Sequence, residues 1–273
     1  MRGMRVTVHR QRWFQIFIGG IVLFIITERV LRITDNPNYF PTVILLGAFV
    51  VPVTFITFFY EHVRDRDISQ PLLTTAFLAG GMLGLAAAGV LEYGTLQNMS
   101  IIGLFGVGLI EESAKLIFPI VMYIGWRYIH EADGLLFGIA SGMGFAALET
   151  MGYAMVALIQ SRGNIVVLEQ VLFLRGLLSP AGHAAWTGFV CAVLWYERGK
   201  KGHVAINLPV IGAFILAVLL HSLWNISASL GTLLPSAAIS TSISTFIIAI
   251  ISLILVIWRF RKARNVISTT GPG

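Results

Sequence analysis

Cysteine and charge are both scarce in this sequence, and each shortage excludes a class of protein. Among 273 residues there is one cysteine, Cys191, and only 12% of the residues are charged. A lone cysteine cannot form an intramolecular disulfide framework or build a metal site by itself, so Cys191 is expected to be a small core residue. The charged share is about half of the roughly 25% that soluble globular domains carry. The chain is therefore not typical of a soluble globular domain.

Hydrophobic residues make up 56% of the chain, and its mean hydropathy is +0.83. Because a bilayer crossing needs about 20 apolar residues, the sequence predicts an all-α polytopic membrane protein with about eight transmembrane helices, all in a single integral membrane domain over residues 1–273. The predicted spans are roughly 13–33, 39–60, 72–91, 100–124, 134–159, 180–197, 206–230 and 240–259. Residues 1–99 hold three spans, 100–230 a four-helix core, and 231–273 the last span and a basic tail. The first span lacks a clear cleavage site and is expected to be retained.

Basic residues predict the orientation of these spans. If the amino terminus is cytoplasmic, fourteen lysines and arginines fall in cytoplasmic segments, and four fall outside: Arg29, Arg32, Arg162 and Arg175. This excess satisfies the positive-inside rule, so both termini are predicted in the cytoplasm of a cell-membrane protein. The net charge of +6 is divided among short clusters beside apolar runs, and it does not predict a nucleic-acid partner.

Six charged or histidine side chains and one amide lie inside the predicted spans of the four-helix core, away from the span ends, and they are the candidate functional residues. They are Glu111, Glu112, Lys115, Glu149, His183, His221 and Asn225. A charge at the centre of a membrane helix costs about 2.5–3.5 kcal/mol on insertion scales, so such groups are expected to face one another or a water-filled cavity. Any one of them could be structural, and the pair Glu111–Lys115 alone could be an intrahelical ion pair. Their convergence from four spans favours a functional site.

Spacing supports this convergence. Three pairs are four residues apart and share a helix face: Glu111–Lys115, Phe145–Glu149 and His221–Asn225. Pro119 removes the amide that would bond to the carbonyl of Lys115, which predicts a kink there. Counting about 1.5 Å of rise per residue places the polar groups between the membrane centre and the outer leaflet. The predicted cavity therefore opens outward.

Glycines spaced by four residues predict where helices pack closely. They are Gly80 and Gly84 in one span, and Gly134, Gly138 and Gly142 in another. Small residues at this spacing let membrane helices approach. This pattern predicts packing and carries no chemistry.

Carboxylates and histidines around water favour hydrolysis by an activated water. Neighbouring carboxylates in a low-dielectric cavity cannot all ionise, so one can hold a proton while another acts as base. His221 and Asn225 on one face could stabilise an oxyanion. No G-x-S-x-G turn is present to favour a nucleophilic serine. Glutamate and histidine are good zinc ligands, but no H-E-x-x-H spacing occurs, so the sequence favours metal-independent hydrolysis without a cofactor.

Four motifs in order resemble one known family. They are EESAK (111–115), DGLLFGIASGMGFAALETMGY (133–153), RGLLSPAGHAAWTG (175–188) and HSLWN (221–225). Over about residues 103–228 the sequence resembles the PrsW-type intramembrane glutamic proteases, which are relatives of the type II CAAX prenyl endopeptidases. It departs from the PrsW type in Asn225, where an aspartate is common. It departs from the prenyl endopeptidases in Glu149, where they carry a histidine.

The resemblance implies an intramembrane endopeptidase and assigns roles. Glu111, with Glu149, would activate water, His183, His221 and Asn225 would complete the site, and Glu112 and Lys115 would tune and orient it. The substrate would be a single-pass membrane protein, as for family members that cut the extracytoplasmic side of an anti-sigma factor. Three alternatives stay open: a CAAX-type protease, a non-catalytic scaffold, and a proton-coupled transporter.

Overall fold

The computed structural model describes residues 11–63, 67–95, 101–233 and 238–266, and every regular element in these ranges is helical. The helices are α1 (Arg12–Thr34), α2 (Phe40–His62), α3 (Gln70–Thr95), α4 (Ile101–Lys115), α5 (Ile117–Ile124), α6 (Glu131–Gln160), α7 (Ile165–Leu178), α8 (His183–Lys201), α9 (Leu208–Leu233) and α10 (Ala238–Val266). Short 3₁₀ turns at Pro37–Tyr39 and Ser179–Ala181 precede α2 and α8. The predicted all-α class is confirmed.

Six helical segments of the described chain are long and apolar enough to cross a membrane. They are Pro37–His62, Gln70–Tyr93, Glu131–Gln160, Ile165–Lys201, Leu208–Leu230 and Ser242–Ala263. The protein is therefore a multi-pass membrane protein, as predicted. The other two predicted spans coincide with α1 and with α4 and α5 together, and the count of eight stays a prediction.

Helix α7 was not predicted, because the sequence prediction left residues 160–179 between two spans. The side chain of Asn164 caps α7 by accepting hydrogen bonds from the amides of Val166 (2.9 Å) and Val167 (3.4 Å). Capping of this kind satisfies amides that have no partner within the helix. With 14 residues this helix is shorter than the roughly 20 residues that a membrane crossing needs, which is why a search for spans did not reveal it.

The described chain forms two compact units, with bounds Met1–Arg64 plus Ala146–Pro180 for the first, and Asp65–Phe145 plus Ala181–Gly273 for the second. The boundary falls inside α6, between Phe145 and Ala146. The first unit contains α1, α2, the end of α6 and α7, which share one apolar core. That core consists of Leu31, Val43, Ile44, Ala48, Ala154, Leu158, Leu168 and Leu172.

Glycines on α6 bring α8 close in the second unit, as their spacing predicted. A Cβ on Gly138 would lie 2.5 Å from the carbonyl oxygen of Thr187, and one on Gly142 would lie 2.4 Å from that of His183. Real Cβ atoms do not approach this closely, so only glycine fits here. The glycine face of α6 thereby fixes where the first turn of α8, and with it His183, is placed.

The predicted kink at Pro119 is present as a break between α4 and α5. At Leu116 the amide turns back to the carbonyl of Ser113 (3.2 Å), which tightens the chain before α5 begins. Pro119 leaves the carbonyl of Lys115 without its helical donor, and the hydroxyl of Ser141 on α6 donates to that oxygen instead (2.7 Å). The break thus ends α4 at its three charged residues and ties that end to α6.

Candidate active site

Three charged side chains lie at the carboxyl end of α4 and form a compact group. Nζ of Lys115 is 2.8 Å from Oε1 of Glu112 and 3.2 Å from Oε2 of Glu111. Their exposed fractions are only 6% for Glu111, 1% for Glu112 and 0% for Lys115. The offsets of four and three residues place both carboxylates within reach of one ammonium, which is how three charges share a buried site.

His221 on α9 joins both glutamates. Its Nδ1 lies 2.9 Å from Oε1 of Glu112, and its Nε2 lies 3.5 Å from Oε2 of Glu111. A carboxylate can only accept, so Nδ1 carries the proton and donates to Glu112. The lone pair of Nε2 then faces the Glu111 carboxylate. This pair of acceptors needs a proton, a water or a cation between them.

His183 is the first residue of α8 and the most open member of the group. Its Nδ1 lies 2.7 Å from Nζ of Lys115 and 4.0 Å from Oε2 of Glu111, and its side chain is 13% exposed. Because an ammonium only donates, Nδ1 accepts and the imidazole proton resides on Nε2. The ring of Phe145 lies beneath the lysine, with Nζ 4.5 Å from the ring centroid. The cluster is therefore walled by an aromatic face on the α6 side.

Oε2 of Glu111 is the atom with unused bonding capacity. It is buried and accepts no hydrogen bond within the described part of the chain. Three nitrogens surround it at 3.2 Å (Lys115), 3.5 Å (His221) and 4.0 Å (His183). Buried carboxylate oxygens normally have a partner, so this one is where a water or another ligand would bind.

The donor set at this oxygen also fits a metal ion. Glu111, His183 and His221 each offer one ligand atom, and these atoms lie within 4.8 Å of one another. One carboxylate and two imidazoles form a ligand set found in zinc enzymes. Lys115 contacts two of these three candidate ligands, Glu111 and His183, so its ammonium already supplies a positive charge beside the possible metal position.

Three further side chains support the cluster and were not predicted from sequence. Trp186 stacks on His221, with ring centroids 4.7 Å apart and planes 23° from parallel. The indole N–H of Trp186 donates to the hydroxyl of Ser252 on α10 (2.8 Å). Thr187 donates to the second oxygen of Glu112 (3.4 Å). Trp186 and Thr187 lie within the third motif, whereas no sequence signal marked Ser252.

The structure brings five of the seven predicted residues together. Asn225 is half-buried one turn after His221 and makes no hydrogen bond to the cluster within the described residues. Glu149 belongs to the first unit, where its carboxylate lies 2.7 Å from a guanidinium nitrogen of Arg175. The predicted catalytic parts of Asn225 and Glu149 stay predictions.

A buried group of two carboxylates, an ammonium and two imidazoles inside a multi-pass helical protein defines a membrane-embedded site suited to hydrolysis. The sequence matches the family described as PrsW family intramembrane metalloprotease over residues 68–258. The chain belongs to this family of intramembrane proteases, which confirms the resemblance.

A curated relative agrees with this assignment. Protease PrsW of Oceanobacillus iheyensis is 24% identical over 189 residues, which cover 66% of this chain and 81% of that protein. No solved structure matches the chain.

Proposed function

We propose that this protein is a glutamic-type intramembrane endopeptidase that cleaves a membrane-protein substrate with a water bound at Glu111. The observation that carries the proposal is the unsatisfied Oε2 of Glu111 facing the lone pair of His221 Nε2 at 3.5 Å. A water placed there can give a proton to the carboxylate while its oxygen attacks the scissile carbonyl. General-base catalysis of this kind contributes about 10²–10⁴-fold.

The remaining residues have supporting parts in this reaction. Glu112 holds His221 in the tautomer whose Nε2 is free to share the proton taken from water. Lys115 contacts both glutamates, offsets one of their two negative charges, and stabilises the charge that builds up during attack. The proton then passes from Glu111 or His221 to the leaving amine as the C–N bond breaks. The proton taken from water thus leaves with the amine, and the reaction needs no further reactant.

A metal-dependent form of the same hydrolysis is the second candidate, because the ligand atoms of Glu111, His183 and His221 lie within 4.8 Å of one another. When bound there, a zinc-type ion would supply Lewis acidity and lower the pKa of water. We favour the metal-independent form because Lys115 already places an ammonium 3.2 Å from Glu111. Prolonged dialysis against a strong chelator should leave activity unchanged. Chelator-sensitive activity that zinc restores would instead establish the metalloprotease form.

We place the cut near the outer leaflet of the membrane. Support comes from the excess of lysine and arginine in the predicted cytoplasmic segments and from the depth of the polar residues along their helices. A single-pass substrate of the anti-sigma-factor kind would then lose its extracytoplasmic part. Single cysteines at positions 111 and 183, in a variant without Cys191, should react with an impermeant thiol reagent added outside. Labelling only from the cytoplasm would favour the CAAX-type alternative.

The substrate can be sought directly. Membrane proteomes of cells with the native protein should contain truncated membrane-protein fragments that are missing from cells with Glu111→Ala. Purified protein in proteoliposomes should then cut the identified substrate. Identical proteomes and no cleavage in proteoliposomes would favour the scaffold or transporter alternatives.

A further inference from the structure

A cavity of about 770 Å³ lies within the first unit, among α1, α2 and α7. Its volume falls in the range of roughly 300–1,000 Å³ that is typical of small-molecule sites. Most of the lining is apolar, but one end carries Glu28, Arg29, Arg32 and Glu169. We propose that this cavity binds one phospholipid with an ethanolamine headgroup from the surrounding bilayer.

The order of the lining residues along the helices matches the order of groups in a lipid. Glu28, Arg29 and Arg32 lie near the end of α1 at Thr34, and Glu169 lies near the start of α7 at Ile165. The apolar lining continues along α1 back to Phe17, eleven residues before Glu28 and thus about 16 Å away along the helix axis. A headgroup at the helix ends and an acyl chain toward the membrane interior would follow this gradient.

Close backbone contact forms the floor of the cavity. A Cβ on Gly176 of α7 would lie 3.1 Å from the carbonyl oxygen of Gly47 on α2, and a Cβ on Gly47 would lie 2.9 Å from a methyl carbon of Leu172. These glycines let α2 and α7 meet, and Gly47 also admits the ring of Phe24 on α1, which would lie 3.1 Å from a Cβ there. Helix packing therefore shapes an apolar slot beside the charged end.

The charged end offers groups of both signs to a ligand. The guanidinium of Arg32 already binds two carboxylates of the protein, since it hydrogen-bonds Glu28 and lies 2.6 Å from each carboxylate oxygen of Glu169. The side chain of Arg29 is 71% exposed, and its Nε lies 3.8 Å from the Glu28 carboxylate, which is beyond hydrogen-bonding distance.

A phosphate is the natural acceptor for the exposed guanidinium of Arg29. The two glutamates balance the two arginines, so the end of the cavity has no net charge and does not select an anion. An ammonium group could donate to Glu169, whose side chain is 27% exposed. Phosphate and primary ammonium together describe an ethanolamine headgroup.

The test uses the full chain purified from membranes with equal amounts of ethanolamine, glycerol and choline phospholipids, followed by mass spectrometry of retained lipid. About one ethanolamine phospholipid per chain should be retained in preference to the others. Leu177→Trp should displace it, because Leu177 lines the cavity. Leu174→Trp is the matched control, since both leucines lie on α7 and are 57% exposed but Leu174 does not line the cavity.

A second pair of variants tests the headgroup and does not depend on filling the cavity. Arg29→Gln should lower lipid retention about tenfold, while Arg162→Gln, at an exposed arginine outside the cavity, should not. Equal retention in both members of either pair would overturn the proposal. Preference for the glycerol headgroup would overturn the ethanolamine assignment. A change in oligomeric mass of the Leu177→Trp protein, without a change in lipid, would assign the cavity to a second copy of the chain.

Discussion

Each of the two units contains a basic residue held between two glutamates. The two groups differ in burial, in the presence of histidines and in whether a carboxylate oxygen is left to bind water. Lys115 lies between Glu111 and Glu112 in the second unit. Arg32 lies between Glu28 and Glu169 in the first. Both groups are formed by one cation and two carboxylates, so charge pairing alone does not distinguish a reactive site from a structural one.

Burial, histidine and hydrogen bonding do distinguish them. The side chain of Lys115 is 0% exposed and that of Arg32 is 35% exposed. Of these two groups, only the Lys115 group is completed by imidazoles, and only it contains a buried carboxylate oxygen without a hydrogen bond within the described residues. An acid–cation group becomes reactive when it is dry and still has an atom that can bind water.

The largest effect is expected from Glu111→Gln, because the amide preserves shape but cannot take a proton from water. Cleavage in proteoliposomes should fall by about 10²–10⁴-fold or more, with unchanged folding. Glu61→Gln, which neutralises a carboxylate that accepts from the first amides of α1, is the control and should retain activity. Native cleavage rates from Glu111→Gln would remove Glu111 from the chemistry.

His221→Ala should reduce kcat by about a hundredfold or more, because it removes the group that faces Glu111. Glu112→Gln should be milder, about 10–100-fold, since it alters the orientation and tautomer of His221 without removing it. Its pH–rate profile should also shift, which mere destabilisation would not produce. An unchanged profile would argue that Glu112 has only a structural part.

Glu149→Gln tests whether the first unit contributes to catalysis. The resemblance makes Glu149 a catalytic carboxylate, so kcat should fall by about a hundredfold. Its described ion-pair partner is Arg175, and Arg175→Gln should cost less than tenfold if that contact only positions the carboxylate. Equal losses in both variants would mean that the ion pair itself, and not the carboxylate, is what activity requires.

The smallest effect is expected at Ser252, which acts on His221 only through Trp186. Ser252→Ala removes the acceptor of the Trp186 indole N–H. The loss of one hydrogen bond, roughly 1 kcal/mol, corresponds to about a fivefold lower kcat. Ser252→Thr retains a hydroxyl and should restore most of the rate. Failure of this rescue would indicate that packing of α10, not orientation of Trp186, explains the loss.

Sequence reasoning predicted the parts of the site that depend on local rules. The cost of charge in a membrane singled out the α4 residues, the spacing of four residues paired Glu111 with Lys115, and Pro119 predicted the break after α4. Each of these follows from one helix considered alone.

The rest depends on contacts between helices, which no local pattern specifies. Stacking of Trp186 on His221 and the bond from Trp186 to Ser252 join residues 35 and 66 positions apart. The proximity of Glu112 to His221 was expected only as general convergence, and its detailed geometry came from the packing of α4 against α9. Glu149 illustrates the limit: its depth was predicted, but its partner Arg175 lies on α7, a helix that hydropathy did not reveal.

The pairing inside α4 also bears on how the protein is made. Lys115 reaches both glutamates within a single helix, so this segment can enter the membrane during synthesis with one of its two negative charges already neutralised. The imidazoles arrive later along the chain, from α8 and α9. We expect a nascent chain that ends before α9 to insert stably and yet lack any proteolytic activity. Ribosome-bound intermediates would then be unable to cut neighbouring membrane proteins before their own assembly is complete.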